Sequence, residues 1–264
     1  FNFTYKEEVE LARASVFQNK KFLTIQKESQ ASDGKRIVNE IIYKKSINKY
    51  PGSYIAVYNQ DEKQTIVNSE ILTGDKIFVI GCPRIDYSFN IKKKIKDDKN
   101  KFTIVYYSIQ TGVSLPIYEG VFRTEGLYNI KEFNWLKLAE NTEKFLSEYH
   151  QESKYVSKMI FKTKTGFIDQ VERLNKIDTS KIEMIYNNTG HHLLQEADLV
   201  VAFNSTTIFE ALAANIPVII PAFNLNENEK KFVFDLHDTD NVFYASNKYE
   251  FKSYINKIKD KSFR

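Results

Sequence analysis

The 264-residue chain has a single cysteine, Cys82, which excludes an intramolecular disulfide and a four-cysteine zinc site. A reducing cytoplasm is the compartment that fits such a chain. Glycine and proline are scarce, at 9 and 5 residues, so collagen-like, Gly/Ser-linker and proline-rich architectures are excluded. Apolar runs such as Leu199-Val-Val-Ala-Phe203 are strand-sized, far short of the ~18 residues of a membrane span. No basic-then-apolar leader is visible at the start. The chain opens with Phe1 rather than Met, so a fragment or processed chain is expected. Against these absences, 42% hydrophobic and 27% charged residues suffice for a packed core and rule out a wholly disordered chain. Lysine and arginine exceed the acids by 38 to 34, a net charge of +4. That excess is spread along the chain without a basic stripe interleaved with stacking aromatics, so no nucleic-acid partner is expected. It suits weak peripheral attraction to an anionic membrane surface, here the inner face.

Hydrophobic periodicity reads as strands and helices in alternation. Residues 5–18 predict a helix with Val9, Ala12, Val16 and Phe17 on one side, and 22–26 a short strand. A helix over 33–47 follows, with Ile37, Ile41 and Ile42 inward, then strands at 54–58 and 76–80 around a helix at 62–69. The lysine-rich stretch 90–101 reads as a solvated boundary. The alternation then restarts. Strands are predicted at 102–107, 158–162, 182–186, 199–203 and 217–220, and helices at 133–149, 168–174, 190–196, 205–214 and 249–259. Continuous apolar strands alternating with helices imply parallel sheets buried on both faces. The expectation is an α/β protein of two Rossmann-like domains, a partial one over 1–95 and a complete one over 96–264. Ligands of such sheets bind past the carboxyl ends of the strands.

The segment Glu196-Ala-Asp-Leu-Val-Val-Ala-Phe-Asn-Ser-Thr-Thr-Ile-Phe-Glu-Ala-Leu-Ala-Ala-Asn-Ile-Pro217 reads as strand, polar turn, helix and turn. Asn204 and Ser205 fall at the helix start, where side-chain oxygens cap free N–H groups, and Thr206 and Thr207 add hydroxyls. Small hydroxylated residues at a helix start suit an anion. Glu210, one turn on, can accept hydrogen bonds from two neighbouring sugar hydroxyls. Spacing alone leaves two readings open: a nucleotide site, or a plain helix cap with a surface carboxylate.

This segment resembles the nucleotide-sugar-binding motif in the C-terminal domain of GT-B glycosyltransferases. The resemblance implies donor-phosphate contacts from Ser205, Thr206 and Thr207 and a ribose contact from Glu210. A second stretch, Lys76-Ile-Phe-Val-Ile-Gly-Cys-Pro-Arg-Ile-Asp86, is similar to a Gly-x-Pro-Arg-x-Asp turn of surface-carbohydrate and capsule-type transferases. In it Gly81 and Pro83 make a sharp turn, Arg84 presents a fork for a phosphate or carboxylate, and Asp86 orients it. Cys82 reads as a small buried residue. Glu28, after the first strand, is the candidate for acceptor positioning or general-base work. The resemblance departs at Asn204 and Asn215, where many relatives have glycine or another small residue. It departs again at Lys162-Thr163-Lys164, where relatives have a strand followed by His-Pro.

Lys162 and Lys164 can still offset phosphate charge, Gln110 with Ser108, Thr111 and Gly112 can line the donor cleft, and His192 or its neighbours are candidates near the base. Glu227 and Glu229 fall in a loop able to close over a donor. Asp238-Thr-Asp240 reads as a loop rather than a metal motif, so no metal or other cofactor is expected. The implied activity is transfer of a sugar from a nucleotide donor to a polysaccharide or glycolipid acceptor. A sugar-nucleotide epimerase of the same architecture and a non-catalytic nucleotide- or glycan-binding protein are the alternatives.

Overall fold

The structure, a computed structural model, describes residues 6–26, 36, 39–40, 43–44, 49–92, 102–110, 117–118, 121–122, 133–164, 168–186 and 190–262. It divides into two units. The first comprises Phe1–Arg84 with Leu115–Tyr128 and Lys231–Asp235. It contains α1 (Lys6–Phe17), β1 (Leu23–Ile25), β2 (Tyr54–Val57), α2 (Gln60–Asn68) and β3 (Ile77–Val79). The three strands are parallel in the order β1-β2-β3. Ile55 and Val57 of the central strand pack with Ala12, Ile66, Ile71 and Ile77. On the opposite face Leu23, Ile25 and Phe78 remain exposed.

Helix α1 departs from its predicted face, for Ala12 is its one buried residue and Val16 and Phe17 are exposed. A single small side chain lets the helix backbone approach the core closely, while the rest of the expected stripe stays wet. Of the predicted 33–47 helix, Arg36, Asn39, Glu40, Tyr43 and Lys44 are helical, and Ile37, Ile41 and Ile42 lie outside the described residues. Cys82 is partly exposed rather than buried.

Glycine scarcity reappears as a backbone feature. Six non-glycine residues have positive φ, and five are asparagines: Asn19, Asn204, Asn215, Asn224 and Asn241, with Glu70 the sixth. Asparagine tolerates the left-handed region best among residues with a Cβ. At the end of α2, Glu70 N–H bonds the Val67 carbonyl (2.9 Å) and Ile71 N–H the Ile66 carbonyl (3.3 Å), the paired bonds of a Schellman cap that glycine ordinarily closes. Glu70, with φ of 58°, bears the Cβ strain there. Glu70→Gly should therefore gain about 1 kcal/mol, read as a higher urea midpoint at unchanged slope. No gain would mean that the left-handed residue carries no strain.

The second unit comprises Ile85–Ser114, Asn129–Lys230 and Leu236–Arg264. It opens with α3 (Asp86–Phe89) and β4 (Phe102–Tyr107). A short antiparallel pair, β5 (Ile117–Tyr118) and β6 (Val121–Phe122), interrupts it and groups with the first unit. The remainder is α4 (Trp135–Glu152), β7 (Val156–Lys162), α5 (Ile168–Leu174), β8 (Glu183–Ile185), a 3₁₀ turn (Gly190–Gln195) and β9 (Leu199–Val201). Then come α6 (Thr207–Ala213), β10 (Val218–Pro221), α7 (Glu227–Lys230), β11 (Val242–Ala245) and α8 (Lys248–Ser262). Six parallel strands lie in the order β11-β10-β9-β4-β7-β8. By position along the unit this is 6-5-4-1-2-3, the doubly wound order whose direction reverses between its first and fourth strands, here β4 and β9. Both are apolar without alternation and buried, as strands covered on two faces must be. The long helix α4 buries the predicted Trp135, Leu138, Phe145 and Leu146.

Glu229 departs from the loop expectation. It is buried, and Asn226-Glu-Asn-Glu229 forms a capping box. The Asn226 side chain accepts from Glu229 N–H and Glu229 Oε2 from Asn226 N–H, both at 2.9 Å. Glu229 Oε1 also accepts from Asn134 N–H (2.9 Å), fixing the start of α4. Glu227 is exposed and pairs with Lys230 at 2.6 Å. Asp238 and Asp240 lie exposed in the turn before β11.

Candidate functional site

The strand order places a ligand crevice past the carboxyl ends of β4 and β9, because the connections leaving those two strands turn to opposite sides. The residues leaving β9 are Ala202 to Thr206, and those leaving β4 are Ser108 to Gln110. The hydroxylated segment of the sequence motif thus sits at the point where the fold itself favours binding.

Its local geometry refines the sequence expectation. Phe203 is buried, and Asn204 turns the chain with φ of 47°, which accounts for the glycine of the resembling family at this position. Ser205, Thr206 and Thr207 are partly exposed. Ser205 Oγ accepts from Thr207 N–H at 3.3 Å and lies 3.2 Å from Thr207 Oγ1. Thr206 is the N-cap, with no side-chain capping bond. The helix is two residues shorter at its start than predicted and spans only 7 residues, so its dipole is small. The hydroxyls therefore carry the anion chemistry. At the far end of α6, Asn215 N–H bonds the Leu212 carbonyl and Ile216 N–H the Ala211 carbonyl, both at 2.9 Å. This is the same Schellman pattern, with Asn215 (φ 55°) in the glycine position.

Glu210 follows Thr207 by three residues on the same face of α6 and is 3% exposed. Its Oε2 lies 3.0 Å from His191 Nδ1 in the 3₁₀ turn before β9. The approach has the distance of an ion pair without the alignment of a hydrogen bond. Tyr107, the last residue of β4, donates its hydroxyl to the Gly190 carbonyl at 2.8 Å. Burial, and secondarily the field of Glu210, hold that hydroxyl well above the ordinary tyrosine range. A Cβ on Gly190 would meet the Tyr107 ring at 2.7 Å, so glycine is required there by space. Tyr87 on α3 presents an edge contact to the His191 ring, with centroids 6.3 Å apart. Glu210, His191, Tyr107 and Tyr87 form one cluster from four elements. His192 is exposed on the same turn.

The other candidates distribute as follows. Lys162 ends β7, one strand from β4 on the side away from β9. It is largely buried, its ammonium donates to the Thr163 carbonyl, and burial lowers its pKa from the usual lysine value. Lys164 is exposed, and its backbone N–H donates to Gln170 Oε1 (3.0 Å). Gln110 is partly exposed just past β4. Arg84 and Asp86 are exposed on either side of the unit boundary, Arg84 in a 3₁₀ turn (Pro83–Ile85) and Asp86 at the start of α3. Gly81 has φ of 73°, as the sharp turn requires. Glu28, Thr111 and Gly112 lie outside the described residues. Among the described residues no cluster of three potential metal ligands occurs, and no helix is long and apolar enough to cross a membrane.

Tyr107, His191 and Tyr87 were absent from the sequence-level site. Gly190 beside two histidines was the one local signal, but the partner ring lies 83 residues away. A buried pair behind the site was equally hidden. Arg173 and Glu143, on α5 and α4, are 2% and 1% exposed and 3.0 Å apart. Glu143 Oε1 also accepts from Tyr106 and Ser108 hydroxyls, both at 3.1 Å, and Arg173 donates to the Ile109 carbonyl at 2.9 Å.

The sequence matches no protein-family model, and no curated protein matches it. The structure is similar to that of a protein from Listeria monocytogenes assigned as a UDP-N-acetylglucosamine 2-epimerase, with 13% identity and a TM-score of 0.57 over 97% of this chain and 64% of that one. A variant of the wall teichoic acid polymerase TagF gives 12% identity and a TM-score of 0.53 over 94% and 62%. The UDP-GlcNAc 2-epimerase of Methanocaldococcus jannaschii gives 12% and 0.51 over 96% and 74%. The chain spans less than two thirds of the Listeria protein and of TagF. With parallel sheets of three and six strands and these likenesses, the chain has the GT-B-like fold of two Rossmann-like units.

Proposed function

We propose that the chain is a glycosyltransferase, with its second unit holding a nucleotide-activated sugar and the growing cell-surface polysaccharide or glycolipid as acceptor. The carrying observation is the placement of Glu210 and the Ser205–Thr207 hydroxyls at the switch point between β4 and β9. Ser205, Thr206 and Thr207 donate to the donor phosphates, and Glu210 accepts from the ribose diol. As the glycosidic bond breaks, negative charge grows on the leaving phosphate. The preorganised hydroxyls, with the field of Lys162 and Lys164, stabilise it there. Gln110 and His192 border the donor. Arg84, Asp86 and Glu28 are assigned to the acceptor and its activation, and the reaction is proposed to need no metal. The mild positive charge places the enzyme at the cytoplasmic face of an anionic membrane.

The likeness to two epimerases favours a second reading, isomerisation of the nucleotide sugar itself. Calorimetry with UDP-, CDP- and GDP-linked sugars tests the shared premise. Binding of at least one is expected, and Glu210→Ala should weaken it tenfold or more, ~1.4 kcal/mol. Failure of all of them to bind ends both enzyme readings. Nucleotide release dependent on a saccharide acceptor, unchanged by a chelator, identifies the transferase. An isomerised free nucleotide sugar identifies the epimerase, and binding without turnover a non-catalytic binder.

A further inference from the structure

We infer that His191 is a positioning residue for Glu210, its imidazolium keeping the buried carboxylate ionised and in place so that nucleotide capture persists at mildly acidic pH. The inference rests on the reading of Glu210 as ribose acceptor. An accepting carboxylate must be charged, yet Glu210 is 3% exposed, and burial disfavours the charged form. A neighbouring cation opposes that effect. His191 Nδ1, 3.0 Å from Oε2, is the cationic candidate at that oxygen, and it comes from a different element. The misalignment matters. A neutral imidazole in this orientation gives the carboxylate no hydrogen bond, whereas an imidazolium attracts it through charge alone. The strength of the pair therefore follows the charge of the ring, which for an imidazole changes between about pH 5 and 8.

The groups around the pair leave it in control. Glu210 is the sole charged residue of α6, Thr207-Ile-Phe-Glu-Ala-Leu-Ala213, and neither β4 nor β9 carries a charged side chain. Tyr107, from the end of β4, stays neutral in this range because burial raises its pKa. Tyr87 contributes a ring edge from α3. Asp86 on α3 and His192 on the turn are exposed, where water and salt screen them. Gly190, pinned through its carbonyl by Tyr107, fixes the turn that carries His191.

The test uses UDP and CDP as probes and takes the ratio of Kd at pH 5.5 to Kd at pH 8, which cancels titration of the nucleotide itself between proteins. His191→Gln should raise this ratio at least tenfold over wild type. His191→Lys, which retains a cation, should bring it back to within threefold. A ratio equal to wild type in His191→Gln overturns the inference, including when affinity falls equally at both pH values, as a merely structural role would give. An NMR titration of the His191 ring provides the independent arm. Its midpoint should drop in Glu210→Gln, and an unchanged midpoint overturns the pairing. Should neither nucleotide bind wild type at any pH, the ribose reading and the inference fall together, while a shifted midpoint would still establish the ion pair by itself.

Discussion

Glu143→Ala should destabilise the second unit by about 3–5 kcal/mol, because it strands a guanidinium in a dry interior. Arg173 is 2% exposed and spends its donors on Glu143 and the Ile109 carbonyl. Removing the carboxylate also takes the acceptor from the Tyr106 and Ser108 hydroxyls. Burial and the field of Glu143 hold the Tyr106 hydroxyl well above the usual tyrosine range, so that hydroxyl remains a proton donor throughout the accessible pH. The double variant Glu143→Leu/Arg173→Met should recover most of the loss, since apolar side chains of similar size often replace a buried pair without net cost. Urea unfolding followed by circular dichroism measures all three proteins. A loss below 1 kcal/mol in Glu143→Ala would show that water reaches the pair. The network ties α4 and α5 to the residues just past β4, so the single variant should also lower nucleotide affinity, and the double variant should restore it only in part.

The second large effect is expected at Trp135, the one tryptophan of the chain. It is 1% exposed at the start of α4 and meets Phe203 edge-on, with centroids 4.9 Å apart, and Phe133 at 5.4 Å. Trp135→Ala removes a large buried ring that its surroundings cannot replace, and should cost about 3–5 kcal/mol. Phe203 directly precedes Asn204 and Ser205, so the void opens beneath the hydroxyl segment. Trp135→Phe should cost less than half as much, because a ring still faces Phe203. Chemical denaturation read by circular dichroism decides. Equal costs for alanine and phenylalanine would mean that the edge contact, not the filled volume, holds this position.

How far the sequence led is best judged from particular residues. Strand β4 and helix α5 have the predicted bounds, because an unbroken apolar run and a clear helical stripe signal themselves locally. Strand β11 went unrecognised. Val242-Phe-Tyr-Ala245 follows an Asp-Thr-Asp-Asn turn and is only partly buried at the sheet edge, so no strong apolar run marks it. The left-handed backbone at Asn204 and Asn215 was foreshadowed by the family pattern that has glycine there, though sequence alone could not say that asparagine would keep the turn. Glu229 had a legible signal in its Asn-x-x-Glu spacing, yet its second bond, to Asn134 across 95 residues, had none. Contacts such as Glu210 with His191 and Glu143 with Arg173 join separate elements, and only the folded topology brings them together.

The reversal of strand order also bears on how the chain reaches its native state. β4 is bonded to β7 on one side and to β9 on the other, and Thr103 N–H reaches Asp198 across 95 residues. Closing so long a loop costs entropy before any contact rewards it, which slows folding. During synthesis the apolar Phe102–Tyr107 segment emerges well ahead of its second neighbour and exposes an open edge in the interval. Its vulnerability to misassembly is thus greatest while the ribosome is still adding the residues between β7 and β9, and chaperone demand should concentrate there.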